Sequence, residues 1–261
     1  MRPDVSQSPK PEERELAKKS AALAGLQAEL AQRELDLATL RAELRDFERR
    51  YLRIVGARYA ELDEIEAQIT EALAQLAPQD IGIQEQAVHA RTQASESAQA
   101  SKIAAKQAPL KDFTPSENLK KLYREVAKRV HPDFSTDETD HVRRQRFMAE
   151  ANRAYEEGDE ARLTAILVEW DSSPEAVKGD GIGAELVRTI RKIAQIRERL
   201  MRIEAEIEEL KRSELHQLKM EMNKGVVEGR DLLEEMKSRL DEQIVAARSR
   251  FRDMSLTRPA P

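Results

Sequence analysis

Leucine recurs every seven residues through the first part of the chain. Leu16, Leu23, Leu30, Leu37 and Leu44 make the series, Tyr51 extends it, and Leu26, Leu40, Phe47 and Ile54 fall three residues after members of it. Such spacing lines one stripe of an α-helix and does not fit the alternation of a strand, so the segment must be a long helix that buries one seam. Lys19 and Arg33 interrupt the seam's second positions. Near Gly56 the register changes, and Val55, Tyr59, Leu62, Ile69, Leu73 and Leu76 continue with a four-residue offset, which reads as a stutter. The helix is expected to stop before Pro78.

A second stripe occupies the far end. Ile193, Ile196, Leu200, Ile203, Ile207 and Leu210 lie three and four apart, and Leu215, Leu218, Met222, Val226, Leu233, Met236, Leu240, Ile244, Ala247 and Phe251 extend them. Asn223-Lys224-Gly225 has the form of a helix stop. The apolar phase nevertheless carries across Gly225 and Gly229, which favours one helix with a weak point there, a hairpin being the alternative.

Composition agrees with this frame. Charged residues make up 36% of the 261 and aromatics 4%, too few large rings for a single thick core, so burial is expected in narrow seams between helices. A net charge of −5 argues against nucleic acid as a partner, since bulk phosphate binding needs a basic excess. The absence of cysteine excludes disulfides, thiolate metal sites and cysteine nucleophiles. No apolar run reaches membrane-spanning length and the first residues lack a signal-peptide core, so a cytoplasmic protein with no membrane span is expected. The expected fold class is all-α, with long coiled-coil helices flanking a small helical module. In order, residues 1–15 read as a disordered tail, 16–77 as the first coiled-coil helix, 78–112 as an Ala/Gln/Ser-rich, partly helical linker and 113–170 as the module. Residues 171–183 then read as a linker, 184–252 as the second coiled-coil helix and 253–261 as a tail.

The module has its own punctuation. Thr114 can cap a helix with Pro115 at its first position and Glu117 completing a capping box. That helix ends at His131, because Pro132 disfavours helical geometry in the residue before it. A polar loop from Phe134 to Asp140 leads to a helix over Val142–Glu157, and Gly158 and Asp159 end it and cap the next, Glu160–Trp170. In the first of these helices Leu119, Leu122, Val126 and Val130 form an inward face, while Lys120, Arg124 and Lys128 form a basic stripe that His131 continues. The plain reading of such a stripe is a solvated charged face. His-Pro-Asp by itself arises by chance in about one chain in a hundred of this length.

The combination says more. Leu119-Lys-Lys-Leu-Tyr-Arg-Glu-Val-Ala-Lys-Arg-Val-His-Pro-Asp133, followed by a segment ending Asn152-Arg153-Ala154-Tyr155, resembles helix II, the loop and helix III of the J domain of the DnaJ co-chaperone family. The resemblance implies an antiparallel helix pair with His131, Pro132 and Asp133 displayed at its tip. It further implies a DnaK-type ATPase chaperone as partner, docked by the basic face through Lys120, Tyr123, Arg124 and Lys128, with the aspartate engaging an arginine of that partner. It covers about 50 residues of the chain. The family's helix I, with Tyr-Tyr-x-x-Leu-Gly, is missing, and Leu110–Phe113 replaces it only in part. Glu160–Trp170 is expected to supply the missing packing through Leu163, Ile166, Leu167 and Trp170. Glu125 is acidic where the family is often basic, and Met148 and Ala151 stand where it prefers Phe and Ile.

Other constellations weigh less. His131, Asp137, Asp140 and His141 could suggest a metal, but turn and cap chemistry explains the same residues, and no cofactor is expected. Gly179-Asp-Gly-Ile-Gly183 precedes a helix without a preceding strand and reads as a linker. Arg143, Arg144 and Arg146 read as a solvated face. No nucleophile–base pair is legible, so a catalytic function is not expected. Two functional classes remain: a co-chaperone that stimulates a DnaK-type ATPase, with coils for oligomerisation or for an unidentified client or adaptor, and a coiled-coil scaffold whose module does not stimulate. The two stripes, about 93 Å and about 104 Å long as helices, suggest an antiparallel intramolecular hairpin with Leu30, Leu37 and Leu44 opposite Leu233 and Leu240. Parallel homodimerisation is the other arrangement.

Overall fold

The computed structural model describes residues 10–106, 113–135, 137–171 and 181–256. Among them there is no strand, and the protein is all-α. The expected tail over residues 1–9, the segment from Leu110 to Asp112, most of the 171–183 linker and the last five residues lie outside the described residues. Helix already begins at Pro11, inside the segment read as a disordered tail.

The first stripe becomes two helices, α1 (Pro11–Tyr51) and α2 (Ala57–Leu76), joined without a break by a π-helical turn over Leu52–Gly56. A π turn adds one residue to the helical cycle, and this is how the chain absorbs the offset that reads as a stutter. The chain divides into two compact units: Met1–Glu43 with Phe113–Arg212, and Leu44–Asp112 with Ser213–Pro261.

In the first unit, α4 (Glu117–Val130), α5 (Glu138–Glu157) and α6 (Glu160–Asp171) build the central module. Ser116, not Thr114, is the cap of α4: its hydroxyl accepts the Leu119 N–H at 2.9 Å. Helix α4 stops because Pro132 holds His131 in extended geometry, φ −57° and ψ 131°. Asp137 caps α5, Gly158 ends it with φ +72°, a left-handed geometry that costs glycine little, and Asp159 caps α6 through the Arg162 N–H at 2.8 Å. The core contains Leu119, Tyr123, Val126 and Val130 of α4, Phe147, Met148, Ala151 and Tyr155 of α5, and Leu163 and Ile166 of α6. Ala31, Leu35 and Ala38 of α1 complete it. The wall expected from α6 is therefore shared with α1, whose Thr39 hydroxyl bonds the Tyr155 phenol at 2.8 Å. Another side of α1, with Leu30 and Leu37, packs on Ile196 and Ile203 of α7 (Ile182–Arg212). Glu34 pairs with Arg199 and Arg41 with Glu206, both 165 residues apart, so α1 and α7 run parallel in one register.

The second unit corrects two expectations. Residues 81–106, read as a partly helical linker that nothing packs firmly, form the 26-residue helix α3 (Ile81–Lys106), which packs antiparallel on α2. Its buried residues are Ala87, Ala94 and Ala104, and α2 buries Ala67 and Ala74. Small side chains let the two backbones approach, and polar groups then fix the register. Arg91 donates to Glu71 at 2.6 and 2.7 Å and to Glu64 at 2.8 Å, and Asp63, itself buried, accepts from Gln93 at 3.0 Å and from Ser97. The pattern is invisible to a search for large apolar residues.

The second stripe is not one helix either. Ser213 ends α7 and caps α8 (Glu214–Val227), and Gly229, at φ +76°, turns the chain into α9 (Leu232–Leu256), capped by Asp231. The apolar phase persists because both helices serve one core, Met222 of α8 with Leu233, Leu240 and Ile244 of α9, against Phe47, Val55, Leu62 and Ile65. Leu30 and Leu37 face Ile196 and Ile203, so the expected pairing of these leucines with Leu233 and Leu240 does not occur. Gly225 sits where a Cβ would lie 2.6 Å from Leu232 Cγ, so Gly225→Ala must displace that leucine. The expected result is a net loss of about 1–2 kcal/mol in urea unfolding followed by circular dichroism, overpacking outweighing the gain in helix propensity.

Candidate functional site

Helices α4 and α5 present His131-Pro132-Asp133 at their junction, with Pro132–Phe134 in a single 3-10 turn. The turn is held from the α5 side. Arg144 donates to the Arg129 carbonyl at 2.9 Å and to the His131 carbonyl at 3.4 Å, satisfying acceptors that the end of α4 leaves open, and pairs with Asp140 at 2.7 Å. Its guanidinium lies 4.6 Å from the Trp170 ring, and that of Arg143 lies 4.8 Å from the same ring. These two arginines, read as solvated, are packing residues of the module.

From the other side the turn is closed by α1 and α7. His131 is 2% exposed and Glu34 5%. The imidazole Nε2–H donates to Glu34 Oε1 at 2.9 Å, while Nδ1 accepts the Asp133 N–H at 3.2 Å, so one tautomer satisfies both nitrogens. Arg199 Nε donates to the same Glu34 oxygen at 2.8 Å. The network continues from Arg199 to Glu206 at 2.9 Å and from Arg41 to Glu206 at 2.7 Å. Burial desolvates the Glu34 carboxyl and pushes its pKa up, but the hydrogen bonds from His131 and Arg199 and the charge of Arg199 outweigh this and hold it below the ordinary carboxylate value. Phe134, next in sequence, is buried among Leu30, Leu37, Ile196 and Ile203.

The residues expected to bind a partner thus divide. His131, expected on an exposed turn, is buried, and Tyr123 is a core residue whose phenol donates to Asn152 at 2.6 Å. Tyr123 follows the α4 face of Leu119 and Val126 rather than the basic stripe. Pro132 is half-buried, and Asp133 keeps 18% of its side chain exposed. Lys120 and Arg124 are half-buried, the first paired with Glu117 at 2.9 Å, the second donating to Gln32 of α1 at 3.2 Å. Lys128 is exposed. Asp133 Oδ2 is the one buried side-chain polar atom without a hydrogen-bond partner among the described residues.

The acids and histidines near the turn are otherwise engaged. Asp137 accepts the Asp140 N–H at 2.9 Å, and His141 approaches the Pro132 carbonyl at 3.3 Å. Among the described residues no three such side chains converge on a cation site, and no helix is long and apolar enough to cross a membrane. No family model, curated protein or solved structure matches the chain.

Proposed function

We propose that this chain is a J-domain-type co-chaperone, in which the α4–α5 pair engages a DnaK-type ATPase, in the cytoplasm, and the chain itself performs no catalysis. The observation that carries this reading is Asp133. Its Oδ2 accepts no hydrogen bond although buried. A buried carboxylate oxygen without a hydrogen bond is costly, and such a group is commonly explained by function. A guanidinium supplied by a partner would satisfy it with a charge-assisted bond. Lys128, exposed on the preceding turn of α4, adds positive charge beside the same site.

The test is ATP turnover by a DnaK-type chaperone titrated with the full chain. Turnover is expected to rise to a plateau, and Asp133→Asn to remove the rise while leaving the melting temperature unchanged, since Oδ2 makes no hydrogen bond in the folded chain. A flat titration with the parent chain at saturation rejects the reading. The second reading, a scaffold whose module is only a packing unit, is favoured by the burial of His131 and Phe134. It predicts that flat titration.

A further inference from the structure

The two helices that close over the turn are not equivalent. Helix α1 is built into the module, since Ala31, Leu35 and Ala38 belong to the same core as Leu119, Tyr123, Phe147 and Ile166. Among the described residues, α7 contributes none to that core. It meets the module at the turn, where Ile196 and Ile203 seat Phe134 and Arg199 reaches Glu34 beside His131. Removing α1 would open the core, whereas removing α7 would strip the turn and the Leu30–Leu37 face of α1 and leave that core closed.

We propose that α7 is a releasable cover over His131-Pro132-Asp133, so that the turn becomes available only when α7 separates from α1. The proposal rests on the co-chaperone reading for its consequence, a gated approach of the DnaK-type partner, but not for its geometry. The hold has two parts: the apolar seam of Leu30 and Leu37 on Ile196 and Ile203 in which Phe134 sits, and the ion pairs Glu34–Arg199 and Arg41–Glu206, the Glu34 carboxylate also accepting from His131. Either part can be weakened on α7 alone, leaving every residue of the α1–α4–α5–α6 core in place. If the turn is competent only in the uncovered fraction, the apparent dissociation constant for a partner is the intrinsic one divided by that fraction. A weakened cover therefore lowers the half-saturating concentration and leaves the plateau unchanged.

The experiment uses the full chain with Arg199→Ala and, separately, Ile203→Asp. Carbethoxylation of histidines by diethyl pyrocarbonate, read by mass spectrometry, compares buried His131 with exposed His89 in the same molecule. In the parent, His131 is expected to react at least about tenfold more slowly than His89, the ratio set by the uncovered fraction. In either variant it is expected to approach His89, while amide exchange keeps α4 and α5 protected and so excludes unfolding of the module. Equal reactivity in the parent overturns the proposal. So does continued protection of His131 in variants whose α7 amides have lost theirs. In the turnover assay the half-saturating concentration should fall by about tenfold with an unchanged plateau. If His131 is uncovered in the variants yet no form raises turnover, the co-chaperone reading fails and the cover stands.

Discussion

Glu34→Ala is expected to cost the first unit about 3–5 kcal/mol, the range for breaking a buried ion pair by removing one partner. The loss is large because one carboxylate serves two donors. Without it Arg199 keeps Glu206, but the His131 Nε2–H loses its acceptor inside the fold. Urea unfolding followed by the fluorescence of Trp170 measures it cleanly, since this is the chain's single tryptophan and it packs on Phe147 at 5.7 Å within the same unit. A loss below about 1 kcal/mol would place the network with exposed ion pairs. The depressed Glu34 pKa fixes the sign of the pH dependence. The unfolded carboxyl, near its ordinary value of 4.5, binds a proton before the folded one does. The stabilisation is therefore complete above that value and is lost as the pH falls through the lower folded one. The stability gap between the parent and Glu34→Gln should narrow on acidification below about pH 4.5 and stay constant between pH 6 and 8 if Glu34 alone sets it.

The sequence carried the helical class through heptad spacing, and it carried the module through Pro132, Gly158 and Asp159, residues whose backbone or capping chemistry acts locally. It also located the His-Pro-Asp turn. The partners of that turn were harder to read because they are remote in sequence: Glu34 is 97 residues from His131, and Arg199 is 165 from Glu34. A signal for them does exist. Glu34 and Arg41 interleave with Leu30 and Leu37, Arg199 and Glu206 interleave with Ile196 and Ile203, and the two charge orders are complementary at one heptad's spacing. Charged residues inside an apolar seam specify a partner's register, and here they specify a parallel one. The antiparallel expectation came from comparing the lengths of two stripes. That comparison failed because Ser213 and Gly229 divide the second stripe, and because continuous apolar phase does not require a continuous helix when two segments face one core. The packing of helix α3, a segment read as a partly helical linker, was missed for a different reason. Its burial is carried by alanines, which large-residue periodicity does not count.

Phe134→Ala is the second large effect, again about 3–5 kcal/mol, the usual cost of emptying a buried aromatic site. Phe134 ties the turn to the α1–α7 pair by an apolar seat among Leu30, Leu37, Ile196 and Ile203, while Glu34 ties the same turn by polar bonds through His131. The two side chains are thus parallel fastenings of one element, and the His131 and Phe134 rings lie 5.5 Å apart. Fastenings in parallel are not additive: once one is released, the turn moves and the other has less to lose. The milder pair Glu34→Gln and Phe134→Leu keeps the double variant folded for a double-mutant cycle read by Trp170. The double variant should be more stable than the sum of the single losses predicts, by about 0.5–3 kcal/mol, the coupling typical of residues that share a network. Additivity within about 0.5 kcal/mol is the behaviour of independent sites. It would mean that the polar and apolar contacts hold different elements, and that the turn is not the single piece on which α1 and α7 close.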